Sequence, residues 1–299
     1  MEFRQLQYVI QIAKEKNFSR AAEKLHIAQP SLSQQLSKLE KEIGVLLFRR
    51  TTNSVELTHA GTVFVDKAQT ILDSIEQLKQ ELDDLSHMRK GKLVVGCLPM
   101  TGSHVLPLVL PVFAKKYPDI EIVLVEDTSS RLEQLTASGQ TDLSLLSLPV
   151  DPTLSYETVI EEEIILAVPP GHRFAGRSYP VRLRELAEEP FVVLKQGQGF
   201  RQITLDLCQQ GGFEPRIVFE STNIETVQSL VATGMGIAFV PKMMTRAKWS
   251  DYTPVYLTLG DPAPSRTLVM ASRKGRYLSK ASEAFIHTMQ TTLEEHFGG

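Results

Sequence analysis

The chain has 299 residues, 42% of them hydrophobic and 22% charged, with a net charge of −3; that is ordinary globular composition with room for two or three domains. No run approaches the roughly 18 apolar residues of a membrane span. The charged start MEFRQLQYVIQIAKE has no signal-peptide core, and two cysteines, Cys97 and Cys208, form neither a disulfide framework nor a C-x-x-C pair. This composition points to a reduced, soluble cytoplasmic protein without a membrane partner. Residues 1–58 hold nine Lys/Arg against six Asp/Glu, which makes them +3 and leaves −6 on the rest. A basic head on an acidic body suits a polyanion partner for the head.

In the head, Leu6, Val9, Ile10 and Ala13 recur at helical spacing. Asn17-Phe18-Ser19 breaks that helix, and Ser19 is positioned to cap a second one through Ala21, Ala22 and Leu25. Pro30 suits the first turn of a third helix, where its missing N–H costs nothing. Leu32, Leu36, Leu39 and Ile43 form the buried stripe of that helix, and Gly44 stops it. Leu46 to Thr58 reads as a hairpin with a polar tip at Thr51-Thr52-Asn53-Ser54.

From Thr58 to about Met88 runs a long helix. Phe64, Ala68, Ile71, Ile75, Leu78, Leu82 and Leu85 alternate by four and three, the repeat of a coiled-coil seam, over roughly 45 Å. The alternative is one amphipathic helix packed on its own domain. After a polar hinge, Ser86 to Gly91, strands alternate with helices as in a parallel or mixed α/β sheet. Strands are expected at 92–97, 120–126, 142–146, 163–168, 191–194, 216–220, 237–240 and 267–272. Helices are expected at 105–116, 130–138, 200–210, 224–233 and 278–296.

Three helices followed by a β-wing is the arrangement of a winged helix-turn-helix, with the helix-turn-helix near 18–37. With the apolar stripe inward, Pro30, Gln34, Ser37, Lys38 and Lys41 point outward, and Ser31 and Ser33 flank them. Gln and Ser read base edges and Lys neutralises phosphate; the plainer reading is a solvated helix face. No catalytic motif is present: no G-x-S-x-G, H-E-x-x-H, Walker loop or G-x-G-x-x-G. The seven histidines show no metal-ligand spacing, so neither enzyme activity, cofactor nor metal is expected. Cys97, inside a strand, reads as core rather than as a redox sensor.

NFSRAAEKLHIAQPSLSQQLSKLEKEIGVLLFRR and VELTHAG closely resemble the DNA-binding domain of LysR-type transcriptional regulators, with A-A-x-x-L, Q-P-S-L-S, L-E-x-x-[IL]-G, L-F-x-R and L-T-x-A-G at family spacing. LPLVLPVFAKKYPDIEI, L-x-x-x-G-x-x-D-L-x-L and GMGIAFVP extend the likeness over essentially the whole chain. The resemblance implies an α/β multidomain protein. Residues 1–58 would be the winged helix-turn-helix, 59–88 a linker and dimerisation helix, and 89–299 an effector domain similar to periplasmic binding proteins. Its lobe I would be 91–161 plus 266–299, and its lobe II 162–265. It further implies that Gln29, Pro30, Ser31, Ser33 and Gln34 meet base edges and that Lys38 and Arg50 meet phosphates. The chain departs from family wings at Thr52, Asn53 and Ser54, where glycine and arginine are common, and Arg49 partly compensates.

In such open α/β lobes ligands sit at strand ends against helix N-termini. That places Thr101, Ser103, His104, Thr128, Ser129, Gln196, Phe200, Arg201 and Asn223 at the effector cleft; ordinary helix capping is the competing reading. With donors and two cations among them, a small carboxylate or other anion is the expected effector. The expected protein is a regulator that binds double-stranded promoter DNA as a homodimer or homotetramer, answers to a small molecule and works with the transcription machinery. The rival reading is a solute-binding or enzymatic α/β protein with an incidental helical head.

Overall fold

The computed structural model describes residues 1–50, 55–86, 91–246, 252–260 and 262–297; for Arg50, Gln80 and 83–86 it describes the backbone alone. The wing tip Thr51 to Ser54, the expected seam residue Leu85 as a side chain, and most of the expected hinge lie outside that set. The chain forms two compact units, one of Met1–Ser86 with Ser138–Gln140 and the other of His87–Ala137 with Thr141–Gly299. Among the described residues no helix is long and apolar enough to cross a membrane.

The head is built from α1 (Phe3–Glu15), α2 (Phe18–Lys24) and α3 (Gln29–Ile43), then a two-stranded wing, β1 (Phe48–Arg50) and β2 (Val55–Leu57). Asn17, not Ser19, caps α2: its Oδ1 accepts the N–H groups of Ser19 and Arg20 at 2.9 and 3.1 Å. Asparagine one residue earlier serves the same orphan donors. Val9, Ile12, Ala21, Leu32, Leu36 and Leu39 meet in one core. Gly44 ends α3 at φ +76, a conformation that costs glycine nothing.

The motif residues of this region have mechanical roles. Glu40 turns inward, and its Oε1 accepts the N–H of Leu47 at 2.7 Å and that of Phe48 at 3.3 Å. Thr58 Oγ1 donates to the Leu46 carbonyl at 2.7 Å and accepts the Gly61 N–H at 2.9 Å. A Cβ on Gly61 would stand 2.0 Å from the Leu47 carbonyl oxygen. Only glycine lets the next helix, α4 (His59–Ser86), pass so close to the wing strand.

Along α4 the expected seam divides. Phe64 packs on the head core and Ala68 is buried. Ile71, Leu78 and Leu82 are 42%, 55% and 56% exposed. The first heptad positions belong to the head itself, Ile75 is half-buried, and Ile71, Leu78 and Leu82 form an exposed apolar stripe among the described residues.

The body has β3 (Gly91–Cys97), α5 (Pro99–Lys116), β4 (Ile120–Glu126), α6 (Ser129–Ala137), β5 (Leu143–Ser147), β6 (Leu154–Val168), β7 (Pro190–Leu194), α7 (Gly199–Gln210), β8 (Arg216–Ser221), α8 (Ile224–Ala232), β9 (Ala238–Pro241), β10 (Val255–Thr258), β11 (Ser265–Arg273) and α9 (Lys280–Phe297). One sheet runs β10-β6-β11-β5-β3-β4, with β9 also on β6, while β7 and β8 pair apart. β6 pairs antiparallel with β11 as far as Glu163 and with β9 and β10 beyond it. One strand is therefore shared by both lobes. Lobe I closes on Leu93, Val105, Phe113, Phe285 and Met289, and lobe II on Ile164, Phe191, Leu207, Val231 and Phe239.

Candidate DNA interface and effector cleft

On α3, Pro30, Ser31, Gln34, Ser37, Lys38 and Lys41 are exposed, as expected of a reading face, and Ser33 is half-buried. Gln29 Nε2 donates to Ser33 Oγ at 2.9 Å, so these two side chains act as a unit. The acidic residues of the helix are withdrawn: Glu40 is bound to the Leu47 turn, and Glu42 pairs with the amino terminus. Lys38 Nζ lies 3.8 Å from Glu2 Oε1 with both groups exposed, a pair worth little against a phosphate. Arg49 is exposed on β1 opposite Glu56. The outward face that remains combines neutral hydrogen-bonding groups with two lysines.

In the body, the starts of α5 and α6 in lobe I face lobe II. Met100 of α5 packs into the lobe II core. A methyl on Gly199 would stand 2.7 Å from Ser129 Oγ, and one on Gly197 3.6 Å from Thr128 Cγ2. The first turn of α7 thus touches the first turn of α6 across the lobe boundary. His104 bridges the same boundary, with Nε2 3.8 Å from Glu225 Oε1 on α8.

Several of the expected cleft residues are engaged within the protein. Ser103 Oγ donates to the Met100 carbonyl at 2.9 Å. Thr128 bonds Asp127 Oδ1 through its N–H at 2.7 Å. Asn223 Oδ1 accepts the Glu225 N–H at 2.7 Å and caps α8. Arg201 Nη1 donates to the Leu194 carbonyl at 2.7 Å and to Glu220 at 2.5 Å, so its charge is already balanced. The Phe200 ring is buried in the lobe II core, and Gln196 is exposed on the loop after β7. Thr101 differs from all of these. It lies in the first turn of α5, fully buried, and its Oγ1 has no hydrogen-bond partner.

Sequence reasoning missed Arg266. It stands on β11 with its side chain 2% exposed, and Nε donates to Glu162 Oε2 on β6 at 2.7 Å. Nη2 also comes within 2.7 Å of that oxygen yet makes no hydrogen bond, so one donor direction of the guanidinium stays open. Its Cζ lies 5.4 Å from the Phe200 ring centroid. Burial pulls the guanidinium below its ordinary pKa, and Glu162 opposes that shift. The signal in the sequence was an arginine and a glutamate inside the two crossing strands, where each reads as a solvent-facing residue unless the pairing is known.

The two thiols are inert. Cys97 and Cys208 are both buried. Burial, helped by the charge of Glu126, pushes the Cys97 thiol up to about 11, and burial pushes the Cys208 thiol up to about 12. They lie in different cores.

Residues 86–294 match the family described as LysR substrate binding domain, and residues 3–62 match the bacterial regulatory helix-turn-helix protein, lysR family. The chain belongs to the LysR family of transcriptional regulators. It is 40% identical over 315 residues to an uncharacterized HTH-type transcriptional regulator, YcgK of Bacillus subtilis (strain 168), covering 99% of this chain and 96% of that protein. It is 31% identical over 298 residues to the dual regulator OxyR of Escherichia coli (strain K12), covering 99% and 97%. A cysteine-to-aspartate variant of full-length OxyR from Pseudomonas aeruginosa superposes with a TM-score of 0.80 at 25% identity, covering 97% and 95%. A structural neighbour at 23% identity, full-length CbnR, was solved in complex with its target DNA, with a TM-score of 0.67 and covering 98% of this chain and 100% of that one. As a LysR-family member the protein is a DNA-binding transcriptional regulator with an effector-binding domain, and it is not an enzyme. The helical head is therefore no incidental appendage, which removes the solute-binding or enzymatic alternative.

Proposed function

We propose that residues 1–58 read promoter DNA, that 59–88 pair two chains, and that 89–299 bind a small carboxylate that shifts the geometry of a dimer or tetramer. Gln29, Pro30, Ser31, Ser33 and Gln34 are the base-reading set; Lys38, Arg49 and Arg50 hold the backbone. The observation that carries the effector reading is Thr101. A buried hydroxyl without a partner costs about 1–3 kcal/mol, and at a helix start it stands beside N–H groups that favour an anion. Arg266, 5.4 Å from the Phe200 ring centroid, is ion-paired with Glu162 as Arg201 is with Glu220, so the anion reading rests on Thr101 and the helix start rather than on a free cation. An effector shifts the assembly only through a difference in affinity between lobe arrangements. The test is footprinting of the chain's own upstream DNA with and without a panel of small carboxylates. Wild type is expected to change its footprint with one of them, and Thr101→Val to bind the same DNA without the change. A Thr101→Val protein that responds like wild type assigns Thr101 to capping.

Hydrogen peroxide, named in several relatives, is the second reading. Thiol-based peroxide sensing needs an accessible thiolate of lowered pKa. Cys97 and Cys208 are buried and raised, which favours a bound metabolite over an oxidised cysteine.

A further inference from the structure

Away from the expected cleft residues, lobe II carries a hollow. The segment after β6 runs through Phe174, Arg177 and Tyr179 into a 3-10 turn, Leu183–Leu186. It is clamped to the end of β10, where the Val181 N–H donates to the Thr258 carbonyl at 3.0 Å and the Gly260 N–H to the Val181 carbonyl at 2.8 Å. Between them opens a cavity of about 500 Å³ whose walls include Arg177, Tyr179, Arg182, Arg184 and Glu185. That size suits a small organic ligand.

The chemistry of the walls is specific. Arg177 is fixed: Nη2 donates to Glu185 Oε1 at 2.7 Å, and its Cζ lies 4.8 Å from the Phe174 ring centroid and 4.5 Å from that of Tyr179. One face of the Tyr179 ring is thus covered by a guanidinium, yet the residue remains 59% exposed. Glu185 is the one carboxylate among the described wall residues, and Arg177 together with the Arg182 N–H consumes it. Arg182 and Arg184 are exposed and make no ion pair with a described residue. A rigid ring backed by a cation, beside two exposed guanidiniums of which only that of Arg182 also acts on Glu185, suits an aromatic ring that bears an anionic group. The ring stacks, and each planar fork meets carboxylate or phosphate oxygens.

We propose that this hollow binds a small aromatic anion, with its ring on the open face of Tyr179 and its carboxylate or phosphate on Arg182 and Arg184.

The test is calorimetric titration of the full-length protein with four probes: benzoate, adenosine 5′-monophosphate, adenosine and inorganic phosphate. At least one of the two aromatic anions is expected to saturate one site per chain. Adenosine and phosphate are each expected to bind about tenfold more weakly or worse, the loss of one of two contacts worth roughly 1.4 kcal/mol. Which aromatic anion binds separates a carboxylate from a nucleotide. Tyr179→Ala and the double variant Arg182→Ala/Arg184→Ala should each abolish saturation; Tyr179→Phe and Thr101→Val should leave it intact. All of these but Thr101→Val alter exposed side chains, so melting temperature confirms that they fold. The proposal is overturned if neither aromatic anion saturates. Phosphate binding equal to the aromatic anions and indifferent to Tyr179→Ala overturns it too, as does binding that survives loss of both arginines. Binding lost in Thr101→Val places the probe in the cleft instead.

Discussion

His104 on α5 and Glu225 on α8 stand 3.8 Å apart across the lobe boundary, and Glu225 is not free to follow its partner. Arg246 holds it, with Nε and Nη2 at 2.7 and 2.6 Å from Oε2, and also donates to Ser229 Oγ at 3.0 Å. One member of the pair is anchored within lobe II by Arg246, and the other stands on α5 of lobe I. His104→Gln should therefore lower the melting temperature little, by no more than about 2–4 °C, as a part-exposed pair worth up to 1 kcal/mol allows. Glu225→Gln should cost more, because it also strips Arg246 of its counter-charge. Equal losses by differential scanning calorimetry would show that the His104–Glu225 pair, not the anchor, carries the energy.

Gln34→Ala should weaken binding to the cognate site by about 1–3 kcal/mol and leave random DNA nearly unaffected. Lys38→Ala should weaken both and flatten the salt slope by about one unit. Gel-shift titrations across salt concentrations check both, and an unchanged slope excludes Lys38 as a phosphate contact.

Leu78→Asp separates assembly from folding. The residue is exposed on α4, so an aspartate there does not disturb the single chain. In a paired seam it would bury a charge at a cost of several kcal/mol. Sedimentation at micromolar concentration should show a folded species of half the wild-type mass; native mass would remove Leu78 from the seam.

Gly61→Ala tests the close pass between α4 and the wing. Its Cβ would collide with the Leu47 carbonyl, a backbone atom that cannot turn aside, and a loss near the upper end of the usual range, about 3 kcal/mol, is expected. Denaturant unfolding measures it, and a loss under about 0.5 kcal/mol, typical of an unremarkable surface site, would mean that the wing shifts freely.

The thiols set an alkaline limit. Both folded-state pKa values lie above the ordinary 9.0, at about 11 for Cys97 and about 12 for Cys208. Below pH 9 the thiols are neutral in folded and unfolded chains alike, and their stabilising contribution is complete. Above it the unfolded chain ionises first, so stability falls as pH rises toward 11 and 12. At pH 7–8 a thiol reagent should react with native protein no faster than the chain unfolds, and faster labelling would expose a thiol.

Periodicity made the head legible, because its helices are short, amphipathic and bounded by Pro30 and Gly44. The body was legible where strands are apolar runs, as at Ile120–Glu126. It was not legible in the first half of β6. Tyr156, Glu157, Glu161 and Glu162 read as loop and the expected strand began only at Glu163, yet Glu161 accepts from Ser265 Oγ and Glu162 holds Arg266. Polar residues that satisfy one another across strands carry no local signature. β10, four residues long, has too few residues to show a period. At the cleft the residue types were right for helix starts, but whether a hydroxyl is spent on a cap or left over, as in Thr101, depends on partners distant in the chain.

The shared strand β6 has an evolutionary consequence. A cut between the lobes severs β6 and, at the boundary that puts Glu162 in lobe II and Arg266 in lobe I, parts that buried pair. Neither lobe can be exchanged between relatives as a cassette. A lobe grafted from a relative would meet half of β6 without the strands it pairs with here, so changes of effector specificity are better built by substitution within the intact body.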